Sequence, residues 1–313
     1  MGLSETHFLT AGDGVRLCMR IKGHMACRTP VLYLHGGPGG GLNLAAFETC
    51  AGPMLETRFP VAYLHQRGVL YSRGPWRINQ SIALHIRDIR MAVAFLCRRF
   101  QQPKVHLLAH SWGAFIGCAC LSRDASSVAR MAAICPVVGI RHVQQELYAR
   151  VAHHLAAGGD PLAHRELASI GKPPYPDIDD FIRLQGLGTE LWGDPYQYIV
   201  PSQLQEHTGY SLDVDDCLTV QTQIAAALWE DLYRLDLTAS LETLTTPVMM
   251  IACEKDCAVP WTSVQKAFES YARCRSGVEK RWLMLKGSNH LPFTEPGTEK
   301  QCLDAIIEFL NPD

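Results

Sequence analysis

The stretch Val105-His106-Leu107-Leu108-Ala109-His110-Ser111-Trp112-Gly113 constrains the fold of this chain more than any other. Val105–Ala109 is a short, largely apolar run and reads as a buried strand. The residues after it, Ala114-Phe115-Ile116-Gly117-Cys118-Ala119-Cys120-Leu121, read as a helix. Between the two lies a sharp strand-to-helix turn with Ser111 at its apex. Ala109 and Gly113 flank the serine at i−2 and i+2, where a bulkier side chain would collide with the neighbouring strand or helix. Such a turn holds the serine hydroxyl clear of the backbone at the end of a sheet. Ser111 is therefore the candidate nucleophile.

Strands and helices alternate around this turn. Residues 6–22 predict a hairpin, His7–Thr10 and Val15–Ile21 joined by Ala-Gly-Asp-Gly. Val31–His35 predicts a short buried strand and runs into Gly36-Gly37-Pro38-Gly39-Gly40-Gly41. So many glycines after a buried strand mean that backbone must approach another group closely. The lysine and Ser/Thr of a phosphate-binding loop are missing. A backbone N–H offered to an oxyanion is the better reading. Val61–His65 predicts a third strand, and Ile82, Ile86, Ile89, Val93, Leu96 and Phe100 lie on one face of a helix over 81–100. Met131–Cys135 is a further short strand.

The character changes at Val137. From there to Leu241 strand signal is sparse and aromatic residues are frequent, which predicts an inserted helical cap. Strand patterns return at Pro247–Ala252 and Arg281–Leu285, and a last helix is predicted from Thr298 to Leu310. The alternation predicts an α/β fold with a mostly parallel central sheet flanked by helices. Residues 1–136 and 242–313 would form the core and 137–241 the cap.

Ser111 on its turn resembles the nucleophile elbow of the α/β-hydrolase superfamily, with Ala109 in place of the first glycine of G-x-S-x-G. In that fold an acid and a histidine follow the serine, each on a loop past a strand. Glu254-Lys255-Asp256-Cys257-Ala258-Val259-Pro260 follows one predicted strand, and Lys286-Gly287-Ser288-Asn289-His290 follows the next. A serine nucleophile needs a base for its proton and an acid that orients the base and stabilises its charged form. His290 fits the base and Asp256 the acid, with Glu254 as the alternative acid. The oxyanion donors expected are the N–H of Trp112 and that of Gly37. His35 and His110 are expected to support these loops by hydrogen bonding.

Within the superfamily, the chain resembles the proline iminopeptidase (prolyl aminopeptidase) group. The resemblance rests on His35-Gly36-Gly37-Pro38-Gly39-Gly40, Gln66-Arg67-Gly68, Ser111-Trp112-Gly113, Glu254–Pro260 and Gly287–His290. It implies a serine hydrolase acting through an acyl-enzyme on a small amide or peptide. An esterase, thioesterase, lactonase or acyl-transferring enzyme is the alternative, and an idle ligand-binding scaffold a more distant one. Iminopeptidases hold the substrate's free amine with carboxylates, one from a Trp-x-x-Trp-Glu sequence in the cap. Ala225-Ala226-Ala227-Leu228-Trp229-Glu230 is similar, which makes Glu230 the candidate amine anchor beside Trp229. Ala226 replaces the first Trp, and His65 stands where the family's Asp-Gln-Arg-Gly has its Asp.

Composition narrows the partners. With 313 residues, 47% hydrophobic and 19% charged, the chain has the make-up of a globular enzyme. A net charge of −2 argues against nucleic acid or an anionic membrane as a partner. No apolar run is long enough to span a bilayer and no secretory signal is evident, so a cytoplasmic location is expected. The twelve cysteines form no CxxC pair and no His/Cys cluster at zinc spacing. Reduced thiols, with neither metal nor cofactor, are expected. The sequence leaves the oligomeric state open.

Overall fold

The computed structural model describes residues 2–24, 29–72, 80–274 and 277–311. The hairpin is β1 (Leu3–Thr10) and β2 (Arg16–Gly23), paired antiparallel. Then follow β3 (Val31–Leu34), α1 (Gly41–Cys50), α2 (Gly52–Glu56), β4 (Pro60–Leu64), α3 (Ile82–Phe100), β5 (Val105–His110), α4 (Trp112–Leu121) and β6 (Val128–Ile134). Between β6 and the next strand come α5 (Ile140–Ala156), α6 (Pro161–Ile170), α7 (Ile178–Trp192), α8 (Pro201–Thr208), α9 (Val214–Arg234) and α10 (Thr238–Leu241). The chain returns to the sheet with β7 (Val248–Cys253), α11 (Trp261–Ala272), β8 (Lys280–Leu285) and α12 (Glu299–Leu310).

The sheet runs in the order β1-β2-β4-β3-β5-β6-β7-β8. From β4 to β8 every pairing is parallel, and the pairings of β2 with β1 and with β4 are antiparallel. Strands buried on both faces read as continuous apolar runs, and β3, β4, β5 and β7 are buried at every position. Two strands start earlier than their apolar runs, β1 at Leu3 and β6 at Val128. Backbone pairing extends them through polar residues that hydrophobic pattern cannot detect. The ends of the α5–α10 segment are tied by a bridge between Gly139 and Asp236 and by Leu237 N–H donating to Val138 O at 2.8 Å.

Helix boundaries follow capping chemistry. The Ser81 side chain accepts from Leu84 N–H and starts α3, while Gln101 ends it in the left-handed region at φ 53°. Near the sheet edge, Arg67 is buried and donates to both Asp88 oxygens, at 3.0 and 2.9 Å, and to Asp13 at 2.6 Å. That arginine fastens the hairpin turn to α3. Among the described residues no disulfide joins the cysteines, and no helix is long and apolar enough to cross a membrane.

The core also buries five histidines. Burial pushes the imidazole pKa down to about 4 at His35 and His106 and to about 3 at His65 and His85. It pushes His110 well below the ordinary value. Each ring is neutral in the folded chain but binds a proton in the unfolded chain below about pH 6.5. Stability is thus complete above that pH and is lost as pH falls toward the folded values. In urea titrations the unfolding free energy is expected to fall between about pH 7 and about pH 5, by up to ~1.4 kcal/mol per pH unit for each histidine. A pH-independent midpoint across that window contradicts this.

Candidate active site

The turn after β5 sets the geometry. Ser111 has φ 53° and ψ −115°, outside the ordinary regions for a residue with a Cβ. A serine at a helix N-cap usually bonds an amide of its own first turn, yet Ser111 makes no side-chain cap bond. Its Oγ lies 3.1 Å from His290 Nε2 instead. The turn closes only because Gly113 has no side chain, since a Cβ there would sit 2.1 Å from Leu34 O. Ala109, the departure from the glycine pattern, lies within β5 and is fully buried without needing a positive φ.

His290 Nδ1–H donates to Asp256 Oδ2 at 2.8 Å, which leaves Nε2 bare toward the serine. Asp256 is 0% exposed, and its other oxygen accepts from Ala258 N–H at 2.8 Å and Val259 N–H at 2.7 Å. Burial by itself would raise the Asp256 pKa. The neighbouring His290 and these hydrogen bonds outweigh it and hold the carboxyl below its usual range. The structure therefore brings Ser111, His290 and Asp256 into one hydrogen-bonded chain. Glu254 lies outside it, exposed and paired with Lys286 at 3.0 Å.

Gly37 and Trp112 both line the cavity next to Ser111. Trp112 opens α4, so its N–H is one of the amides a helix start leaves without an intrahelical partner. Its indole donates to Gln66 Oε1 at 2.9 Å, and Gln66 in turn donates to His35 O at 2.9 Å. Gln66-Arg67-Gly68 thus ties the glycine loop to the elbow. Gly37 has φ 131°, a conformation that favours glycine. His35 donates through Nδ1 to Gly36 O at 2.7 Å, and His110 donates through Nε2 to His290 O at 2.9 Å. Both histidines brace loops.

Two bracing groups were assigned no role from the sequence. Arg150 reaches from α5 to donate to Asp256 O at 2.6 Å and Glu254 O at 2.8 Å, with its guanidinium 3.9 Å above the Trp192 ring. Asn289 Oδ1 accepts from Cys257 N–H at 3.0 Å and His290 N–H at 2.8 Å, while Nδ2 donates to Gly193 O at 2.8 Å. One amide therefore joins the acid loop, the histidine loop and the end of α7.

The cavity has a volume of about 330 Å³ and lies between the elbow and helices α5, α7 and α9. Trp229 forms part of its wall, with its indole fixed by donation to Pro176 O at 2.8 Å. Glu230 is a correction to the sequence reading. Its side chain is 73% exposed and pairs with Arg234 at 2.6 Å on the outer face of α9. Successive helical residues are rotated by about 100°, so Trp229 turning inward carries Glu230 out. Among the described residues no Asp, Glu, Lys or Arg lines the cavity.

A metal would find one three-donor grouping here: Cys135, Asp256 and His290 offer atoms within 4.8 Å of one another. Burial pushes the Cys135 thiol well above its ordinary pKa, away from the thiolate that ligation requires. The Asp256 oxygens and His290 Nδ1 are already engaged with each other and with backbone amides.

Residues 29–155 match the family model described as alpha/beta hydrolase fold. The probable aminopeptidase YbaC of Bacillus subtilis (strain 168) is 23% identical over 273 residues, 85% of this chain and 84% of that protein. Among solved structures, the proline iminopeptidase-related protein of Thermus thermophilus superposes with a TM-score of 0.68 at 20% identity, covering 98% of this chain and 97% of that one. The esterase RhEst1 from Rhodococcus sp. ECU1013 superposes with a TM-score of 0.65 at 19% identity, covering 97% and 98%. The chain is built on the α/β-hydrolase fold.

Replacing Asn289 by alanine leaves the buried Cys257 N–H without an acceptor. It is expected to lower the unfolding free energy by about 2 kcal/mol in urea titration. A loss under about 0.5 kcal/mol contradicts the bracing role.

Proposed function

We propose that the protein is a serine hydrolase that works through an acyl-enzyme on small substrates with an uncharged acyl group, amide or ester. The observation that carries this is the hydrogen-bonded chain Ser111–His290–Asp256 opening into a cavity that no charged side chain lines among the described residues. Ser111 Oγ attacks the carbonyl and passes its proton to His290 Nε2. Asp256 keeps the imidazole proton on Nδ1 and stabilises the imidazolium that forms. The N–H groups of Trp112 and Gly37 receive the developing oxyanion. His290 then protonates the leaving group, and a water activated by the same ring releases the acid. Residues 137–241 act as the cap, with Trp229 as an apolar wall for the acyl group.

A substrate with a free amine would bring an ammonium into this cavity, because α-amines are largely protonated at neutral pH. Glu230, the residue expected to meet it, faces solvent. That favours an uncharged amide or ester over an N-terminal prolyl residue.

The test is fluorophosphonate labelling followed by rates on nitrophenyl esters, N-acyl anilides and prolyl anilide. Wild type should label and Ser111→Ala should not, and the Ser111→Ala variant should lose at least ~10⁴-fold in kcat. Uncharged esters or amides should be turned over faster than prolyl anilide near neutral pH. No labelling overturns the nucleophile. Preferential cleavage of prolyl anilide overturns the uncharged acyl group.

A further inference from the structure

Asn43 is a polar side chain that the proposed reaction leaves unused. It lies in the first turn of α1, just past the glycine loop, is 3% exposed, and lines the cavity. Its Nδ2 donates to the Tyr196 hydroxyl at 2.9 Å, across to the α7–α8 connection. Tyr196 thus holds the amide from the cap side. From the core side it is held by the loop itself, since a Cβ on Gly40 would come 2.9 Å from Nδ2. The cap presses directly on this loop, because a Cβ on Gly39 would meet Gln221 Cα at 2.9 Å. With Nδ2 committed to Tyr196, the remaining atom, Oδ1, is buried and has no hydrogen-bond partner among the described residues.

A buried carbonyl oxygen without a donor is unfavourable, and such groups in native structures generally have a partner to meet. Asn43 is six residues from Gly37 along the same chain segment, so its distance from the oxyanion position is limited by covalent connection. We propose that Asn43 is a specificity-determining residue, with Oδ1 accepting a hydrogen bond from an uncharged N–H or O–H on the acyl part of the substrate. The substrate class is then an acyl group bearing an amide N–H or a hydroxyl close to the reacting carbonyl. This rests on the serine hydrolase reading above and adds the acyl group to it. A neutral acceptor supplies no counter-charge, so a protonated amine is not the partner this site selects.

Matched nitrophenyl esters test the proposal: 2-hydroxypropionyl against 2-methoxypropionyl, and N-acetylalanyl against N-acetyl-N-methylalanyl. In each pair the second member lacks the donor. Wild type should favour the donor-bearing member by about tenfold in kcat/KM in at least one pair, and the pair that responds distinguishes hydroxyl from amide. That ratio should collapse toward one in Asn43→Leu. In Asn43→Asp, which keeps an acceptor and adds a charge, it should persist and be joined by turnover of prolyl ester. Should Asn43→Leu fail to fold, Tyr196→Phe removes the hydroxyl that orients the amide and should reduce the same ratio. A wild-type ratio near one in both pairs, a ratio that survives Asn43→Leu, or a preference for the donor-blocked esters overturns the proposal. Those outcomes leave Ser111 labelling intact, whereas loss of labelling and of all ester turnover marks failure of the serine hydrolase reading itself.

Discussion

The close approach of Gly113 to the end of β3 is the constraint on which the site depends. A Cβ at position 113 would lie 2.1 Å from Leu34 O and 2.8 Å from His35 O, closer than any real contact. Only glycine lets α4 start against the neighbouring strand, and that start holds Ser111 at φ 53°. The same crowding governs the glycine loop. A Cβ on Gly36 would strike His110 Nδ1 at 2.6 Å and Ser111 Cβ at 3.3 Å, so the loop after β3 passes directly over the elbow. Serine and glycine loop are therefore positioned by one set of contacts, and the proposed nucleophile and oxyanion donors move together or not at all.

Around that steric centre, the charged parts of the site are held by backbone and by neutral side chains. Asp256 loses all contact with water and stays ionised through two amides and the imidazole. Arg150 contributes differently, grasping the carbonyls of Glu254 and Asp256 and not a carboxylate, so it shapes the loop that carries the acid. Asn289 fixes the spacing between the acid and histidine loops through a single amide. His35, His110 and Gln66 complete the frame with donors and acceptors that are uncharged in their setting.

How much of this was legible in the sequence depends on the range of the interaction. The strands of the parallel sheet are short apolar runs, and α3 shows its buried stripe, so the core architecture could be read locally. Ser111, Asp256 and His290 each follow a strand in the right order, and strand ends are where a parallel sheet gathers its loops. What escaped reading arises where distant segments meet. Arg150 is 106 residues from Asp256, and nothing in the sequence around it marks the contact. Tyr196 meets Asn43 across a separation of 153 residues. Glu230 went the other way: a matching short sequence suggested a site role, and the helix phase that buries Trp229 turned it outward.

That outward turn bears on how the proposed chemistry could work at all. In the proposed reaction, proton transfer from Ser111 makes an imidazolium at His290, and in a cavity that no charged side chain lines among the described residues a second positive charge nearby would oppose it. An ammonium-bearing substrate is tolerable only if carboxylates in the cavity offset its charge. Here Asp256 is already committed to His290, and no other acid lines the described wall. With Glu230 paired to Arg234 at the surface, the charge balance of the proposed reaction favours a neutral acyl group. Recognition must then come from shape and from hydrogen bonds between uncharged partners. In the proposed reaction the Asn43 carbonyl supplies such a bond beside the glycine loop.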